Sequence, residues 1–312
     1  MQPVIPPEHP IFRLIICYAF SRGERAALAM MTGAPVVTVA REKTPPEQKE
    51  VIEEVKAALL NGWDEAMDSI QAQIPKESSL FHAAANAALV ASARRNDVRA
   101  ALLAIDKHGA TNVRVAIYQS ARKGNLSVLD LLMEHPAASY MSFYSSMYCA
   151  AERGQLESIR AIRRARPETK SLDILGSAAE GGRNNVIKTE ISERKEFPKD
   201  EIEGAFEIAA FGGHVETLQL LERLGAKNYE SALAEASIAG KIIAIQWLLE
   251  RSKIGIDNAF VRAAINNRVQ AMSLLIENGA TAFEAALSRI MTRHNKRKPV
   301  GAIRLLSKLL AR

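Results

Sequence analysis

A chain of 312 residues with 48% hydrophobic and 24% charged residues has the composition of a folded protein, which excludes wholesale disorder. Aromatic residues make up only 5% while alanine is abundant, favouring helices packed through small side chains over a sheet-based core. The net charge of +6 suggests nucleic acid until it is located: Arg289 to Arg312 holds eight Lys or Arg and no acid, so the remaining 288 residues carry 33 basic against 35 acidic side chains.

The chain begins MQPVIPPEHPIFRLIICYAF, with no basic leader, three early prolines and Arg13 inside a short apolar run, and so makes a poor signal peptide. No apolar stretch approaches the roughly 18 residues that a membrane span needs. Cys17 and Cys149 form no C-x-x-C pair and no disulfide framework, which suits a reducing compartment. The expectation is an intracellular, cytoplasmic protein, although export by a non-classical route would leave no trace in these features.

Residues 1–50 read as an irregular N-terminal cap or a divergent first unit, in which PVVTVAREKTPPEQ, Pro35 to Gln48, is the one strand-like connection. From residue 51 to 288 a single template recurs: two small residues, two variable ones, a Gly, then a polar residue and an apolar helix. It fits SARRNDVRAALLAI from Ser92, SARKGNLSVLDLL from Ser120, AAERGQLESIRAI from Ala150 and AAEGGRNNVIK from Ala178. It fits again at AAFGGHVETLQLL from Ala209, ASIAGKIIAIQWLL from Ala236 and AAINNRVQAMSLL from Ala263, and more loosely at Ala58 and Ala19.

The turn position of these units falls at Gly23, Gly62, Asn96, Gly124, Gly154, Gly182, Gly213, Gly240 and Asn267. Gly and Asn are the residue types that most readily adopt the left-handed conformation ending a helix. The mean spacing of about 30 residues lies in the range of stacked repeats. Each unit is thus predicted to be a short first helix carrying the small pair, a sharp turn, and a second helix. Paired apolar residues such as Leu131 and Leu132, Leu220 and Leu221, Leu248 and Leu249, or Leu274 and Leu275 are expected to lie buried between layers. Two such helices cannot enclose a core, so stability must come from neighbouring units.

The segments FEIAAFGGHVETLQLLERLGA, Phe206 to Ala226, and FVRAAINNRVQAMSLLIENGA, Phe260 to Ala280, resemble the ankyrin-repeat family, although the T-P-L-H opening is absent and several units are short. The resemblance implies an all-α, ankyrin-like helical-repeat solenoid of about eight to ten helix pairs, without catalytic residues, cofactor, metal or small-molecule substrate. It implies a protein partner held on the concave face, which the first helices line. The residues just after each small pair, Arg94, Arg122, Glu152, Glu180, Phe211, Ile238 and Ile265, are then the partner-binding candidates. Phe211, Ile238 and Ile265 either form an exposed apolar strip or pack against each other and under the C-terminal segment. Divergent, short-period arrays also resemble those of intracellular bacteria and large viruses, where they often act on host proteins, so a secreted effector is a further implication.

Chemistry is not advertised elsewhere. The six histidines never pair at i, i+4, and no H-E-x-x-H, G-x-G-x-x-G or G-K-[ST] motif occurs. His214 stands where other units have Asp97, Asn125, Gln155, Arg183, Lys241 and Arg268, so its position calls for a polar group and not for imidazole. Cys149 immediately precedes a small pair, the place of a packed thiol more than of a nucleophile. The tail 289–312 reads as a basic capping segment. Its first helix is expected to continue through Arg289, and Arg293, Lys296, Arg297 and Lys298 form a possible anion-binding group. That group is open to three readings: an address signal, contact with nucleic acid or an anionic membrane, or a solvated loop before a capping helix.

Overall fold

The computed structural model describes residues 79–171, 174–194, 198–292 and 299–311. Gly23, Gly62, Cys17, the strand-like connection at 35–48 and the basic group Arg293, Lys296, Arg297 and Lys298 lie outside the described residues. What is described is α-helical, with no strand among the described residues. Among these residues a first compact unit holds 79–150 and 155–171, and a second holds 151–154 and 174–311.

The helices come in pairs about the expected turns. They are α1 (Ser79–Arg95) with α2 (Val98–Leu102), α3 (Val113–Lys123) with α4 (Leu126–Met133), and α5 (Tyr140–Arg153) with α6 (Leu156–Ala165). Next come α7 (Leu175–Glu180) with α8 (Asn184–Glu193), α9 (Lys199–Gly212) with α10 (Val215–Arg223), and α11 (Tyr229–Ala239) with α12 (Ile242–Leu249). The series closes with α13 (Ile256–Ile265) and α14 (Val269–Glu277), then α15 (Phe283–Thr292) and α16 (Val300–Leu310). In the second unit the first helices α7, α9, α11, α13 and α15 pack on one another in succession, and α8, α10, α12, α14 and α16 form a second row beneath them. In the first unit α1 packs on α3, while α2, α4 and α6 line up in the same way. The fold is therefore an array of ankyrin-like helix pairs, and α15 continues through Arg289 as expected.

Close stacking has a visible cause. The small pairs Ser92–Ala93, Ser120–Ala121, Ala150–Ala151, Ala178–Ala179, Ala209–Ala210, Ala236–Ser237 and Ala263–Ala264 are all 0% exposed. One turn earlier each first helix buries a larger apolar residue: Leu89, Ile117, Met147, Leu175, Phe206, Leu233 and Phe260. The stripe follows helical periodicity. Fully burying one such side chain is worth about 1.5–3 kcal/mol. In the second helices the Leu pairs divide their roles: Leu132, Leu221 and Leu275 are buried, while Leu131, Leu220 and Leu274 are only half-buried. Only Leu248–Leu249 is buried as a pair.

Every described turn position is left-handed: Asn96 (φ 59°), Gly124 (76°), Gly154 (76°), Gly182 (67°), Gly213 (84°), Gly240 (75°) and Asn267 (56°). Asn96 and Asn267 are the only residues other than Gly with positive φ among the described residues. The choice between Gly and Asn depends on the next unit. A Cβ at Gly154 would come 3.0 Å from Arg183 Cδ, one at Gly213 2.8 Å from Lys241 Cδ, and one at Gly240 2.9 Å from Arg268 Cδ. At Gly182 it would lie 2.7 Å from His214 Nδ1. The long polar side chain that follows one turn thus lies across the preceding turn, leaving no room for a side chain there.

Asn96 is followed, one unit on, by the shorter Asn125, and its own side chain does different work. Asn96 Oδ1 accepts a hydrogen bond from the Val128 N–H at 3.1 Å, and Asn267 Oδ1 accepts one from the Ala302 N–H at 2.9 Å. Each completes the otherwise unpaired N-terminus of the next unit's second helix. We expect Gly154→Asn to lower the unfolding temperature, because its side chain collides with Arg183. Adding Arg183→Asn should restore most of the loss by recreating the Asn96 and Asn125 pairing. Thermal denaturation of both variants checks this, and equal losses would sink the coupling.

Candidate functional site

At four of the described turns the polar residue that follows has a shared task that its varied chemistry conceals, whereas Asp97 caps its own helix by accepting from the Ala100 N–H. Asn125 Nδ2 donates to the Ala93 carbonyl at 2.7 Å, Arg183 Nε to the Glu152 carbonyl at 3.0 Å, and Arg268 Nε to the Ile238 carbonyl at 2.9 Å. His214 Nε2 lies 2.8 Å from the Glu180 carbonyl and does the same with an imidazole. Each ties the end of the preceding first helix to the start of the next second helix. His214 is a structural donor between repeats.

A second set of ties, missed in the sequence, lies at the other end of the first helices. Asn86 Oδ1 accepts from the Thr111 and Asn112 N–H groups, both at 2.8 Å. Glu203 accepts from the Lys227 N–H at 3.0 Å and the Asn228 N–H at 3.0 Å. Asp257 Oδ1 accepts from the Thr281 N–H at 2.7 Å and the Ala282 N–H at 3.0 Å. All three stand ten residues before a turn residue: Asn96, Gly213 and Asn267.

Core and ties together leave the residue two before each turn with an outward side chain. In the first unit these are Arg94, exposed and donating through Nε to Gln119 Oε1 at 3.2 Å, and Arg122, half-buried. In the second unit they are Glu152, Glu180, Phe211, Ile238 and Ile265, all half-buried. Their carbonyls at 152, 180 and 238 are the acceptors just described. Cys149 and Ser177, three residues earlier on α5 and α7, are buried.

One turn back on the same face the second unit carries charge. Glu207 and Phe211 are i, i+4 neighbours on α9; Glu235 and Ile238 on α11, and Arg262 and Ile265 on α13, are i, i+3 neighbours, so each charge lies beside an apolar side chain. Burial raises the pKa of Glu207, and the nearby charges of Glu235 and Glu203 add to the rise, which hydrogen bonds from Ser231 and Asn228 oppose. Asn228 Nδ2 donates to Glu207 Oε1 at 2.7 Å. Burial also raises the pKa of Glu235, partly offset by the Arg262 charge. Neither carboxylate was singled out in the sequence. No group of three or more His, Cys, Asp or Glu gathers in a way that would hold a metal ion among the described residues, and no described helix is long and apolar enough to cross a membrane.

No protein-family model matches the chain, and no curated protein matches it. Among solved structures it is similar to the human ASB11 ankyrin repeat domain, at 16% identity and a TM-score of 0.39, over 60% of this chain and 90% of that one.

Two outcomes test these assignments. His214→Ala should cost about 0.5–1.5 kcal/mol by removing one hydrogen bond between repeats. His214→Arg should cost much less, because Arg183 and Arg268 already fill the equivalent position; equal losses would refute the shared role. Glu235→Gln tests the raised carboxyl. A folded pKa above the unfolded one means that the ionised form disfavours the fold, so stability is withheld above that pKa and recovered as pH falls through it. The variant should unfold at a higher temperature than the parent at pH 7, with the gain shrinking as pH falls into the ordinary carboxylate range.

Proposed function

We propose that the first-helix face of the second unit binds a partner protein, with Phe211, Ile238 and Ile265 as apolar anchors and Glu152 and Glu180 extending the face upstream. One observation carries the reading. Three large apolar side chains occupy the same register position in three successively stacked helices and stay part-exposed, while the small pairs beside them are fully buried. The part of each side chain that stays exposed is apolar area that the fold's own core does not cover, and such area in a continuous row commonly marks an interaction site. Affinity at such a face is set by a few anchors and not by total area. Arg94 and Arg122 hold the equivalent positions in the first unit. The reading is a binding module without a catalytic step.

The test is an affinity capture from cell lysate at low and high salt, using the intact chain and the triple variant Phe211→Ser, Ile238→Ser, Ile265→Ser. Each of the three side chains is more than half buried, so the triple variant should lose stability, and circular dichroism at the capture temperature shows that it is folded before its binding is read. A partner retained at high salt by the parent and lost by the variant supports the apolar face. Retention that vanishes with salt and ignores the variant would overturn it. Such retention would point instead to nucleic acid or an anionic membrane at Arg293, Lys296, Arg297 and Lys298, to be checked by changing those four to Gln. Deleting 289–312 would be a poor control, because it removes α16 and part of α15.

A further inference from the structure

The face just described is not simply apolar, and its second row says what kind of segment fits it. We propose that its partner is a protein segment presenting a Lys or Arg between aliphatic or aromatic residues, the cation meeting Glu207 and Glu235 while the apolar residues cover Phe211, Ile238 and Ile265. This rests on the binding role proposed above and names the chemistry of its occupant.

Three features argue for it. The carboxylates lie one helical turn from the apolar row, on the same faces of α9 and α11, so one bound segment spans both. The charges acting on the two carboxylates are unequal: Glu203 and Glu235 act on Glu207, only Arg262 opposes at Glu235, and Lys241 and Arg268 lie further off across the turns that end α9 and α11. Glu180 stands at the end of α7, the preceding first helix, and continues the acidic side. Finally, Glu207 and Glu235 repel one another in partly desolvated surroundings, and Arg262 relieves only Glu235. Hydrogen bonds from Asn228 and Ser231 relieve Glu207 in part, as Arg262 does Glu235, and a cation brought from outside would relieve both at once. Charge complementarity of this kind selects partners and fixes their register. It also disfavours phosphates, so nucleic acid and anionic lipid are poor occupants of this face. The unequal charge further predicts a direction: the basic residue of the segment lies over α9 and α11, and a neutral or acidic one over Arg262.

The experiment is a selection of random dodecapeptides displayed on phage against the intact chain, followed by fluorescence anisotropy with the enriched peptides. The expected consensus holds at least one Lys or Arg flanked by large apolar residues. Glu207→Gln with Glu235→Gln should weaken the synthetic peptides at least about tenfold, the loss of a desolvated charge contact, and Phe211→Ser, Ile238→Ser, Ile265→Ser should abolish binding. Binding of the cationic peptides should also weaken as pH is lowered through the raised carboxyl range of Glu207 and Glu235. Peptides lost in the triple Ser variant but unaffected by the two Gln substitutions, or enriched in Asp and Glu, would overturn the charge assignment while leaving the apolar face standing. Peptides indifferent to the triple Ser variant, or no enrichment at all, would overturn both. Circular dichroism of each variant separates loss of binding from loss of fold, and Glu207→Asp with Glu235→Asp, which keeps the charge, should retain most of the affinity.

Discussion

Both units depend on backbone carbonyls at the ends of first helices that those helices leave unsatisfied. A helix leaves its last carbonyls without partners, and here a side chain from the next unit supplies one. Asn125, Arg183, His214 and Arg268 each reach back over a left-handed turn to do so. The turn must be left-handed to reverse the chain, and it must be bare where a long donor lies across it. Conformation and contact thus select the same residue: at Gly154, Gly182, Gly213 and Gly240 glycine answers both demands. No unit is complete without its neighbour, which is the physical content of calling such arrays cooperative through their interfaces.

This division of labour fixes which positions are free to vary. Along a first helix the small pair and the larger apolar residue before it belong to the core, and where the residue ten before the turn is Asn86, Glu203 or Asp257 it caps the next unit. The positions left over, two residues and one further helical turn before the left-handed residue, keep part of their side chains exposed, and Glu207 among them also accepts from Asn228. They hold Arg94 and Arg122 in one unit and change from Glu180 to Phe211, Ile238 and Ile265 in the other. A surface that can change without disturbing the stack is the natural place for a function to reside.

The register was legible in the sequence because positive φ restricts composition: few residue types tolerate it, so seven described turns announced themselves as Gly or Asn. The partners of those turns were not legible. His214 finds the Glu180 carbonyl 34 positions away, and nothing in G-G-H distinguishes a donor to a carbonyl from a simple helix start. The caps Asn86, Glu203 and Asp257 did leave a signal in their constant offset from a turn, but they share only an acceptor oxygen, and Arg114 and Tyr144 break the pattern at the same offset. The Leu pairs misled for a related reason. Two adjacent residues on a helix point 100° apart, so the row beneath can bury one fully and the other only at its edge.

Glu207 and Glu235 were invisible for a different reason, since a carboxylate on a helix is ordinarily a solvated residue. Only stacking brings the two within range of each other and sets an apolar side chain beside each. Asn228 and Ser231 satisfy part of Glu207 and Arg262 offsets part of Glu235, which leaves partly desolvated charge beside the apolar row. Charge held against an apolar row discriminates where either element alone would not. Apolar contact supplies affinity with little preference among partners, and a partly desolvated carboxylate penalises any occupant that leaves it unmatched. The close stacking makes the penalty effective, because α9 and α11 pack on each other through fully buried small side chains and have little room to move the carboxylates apart when a wrong partner arrives.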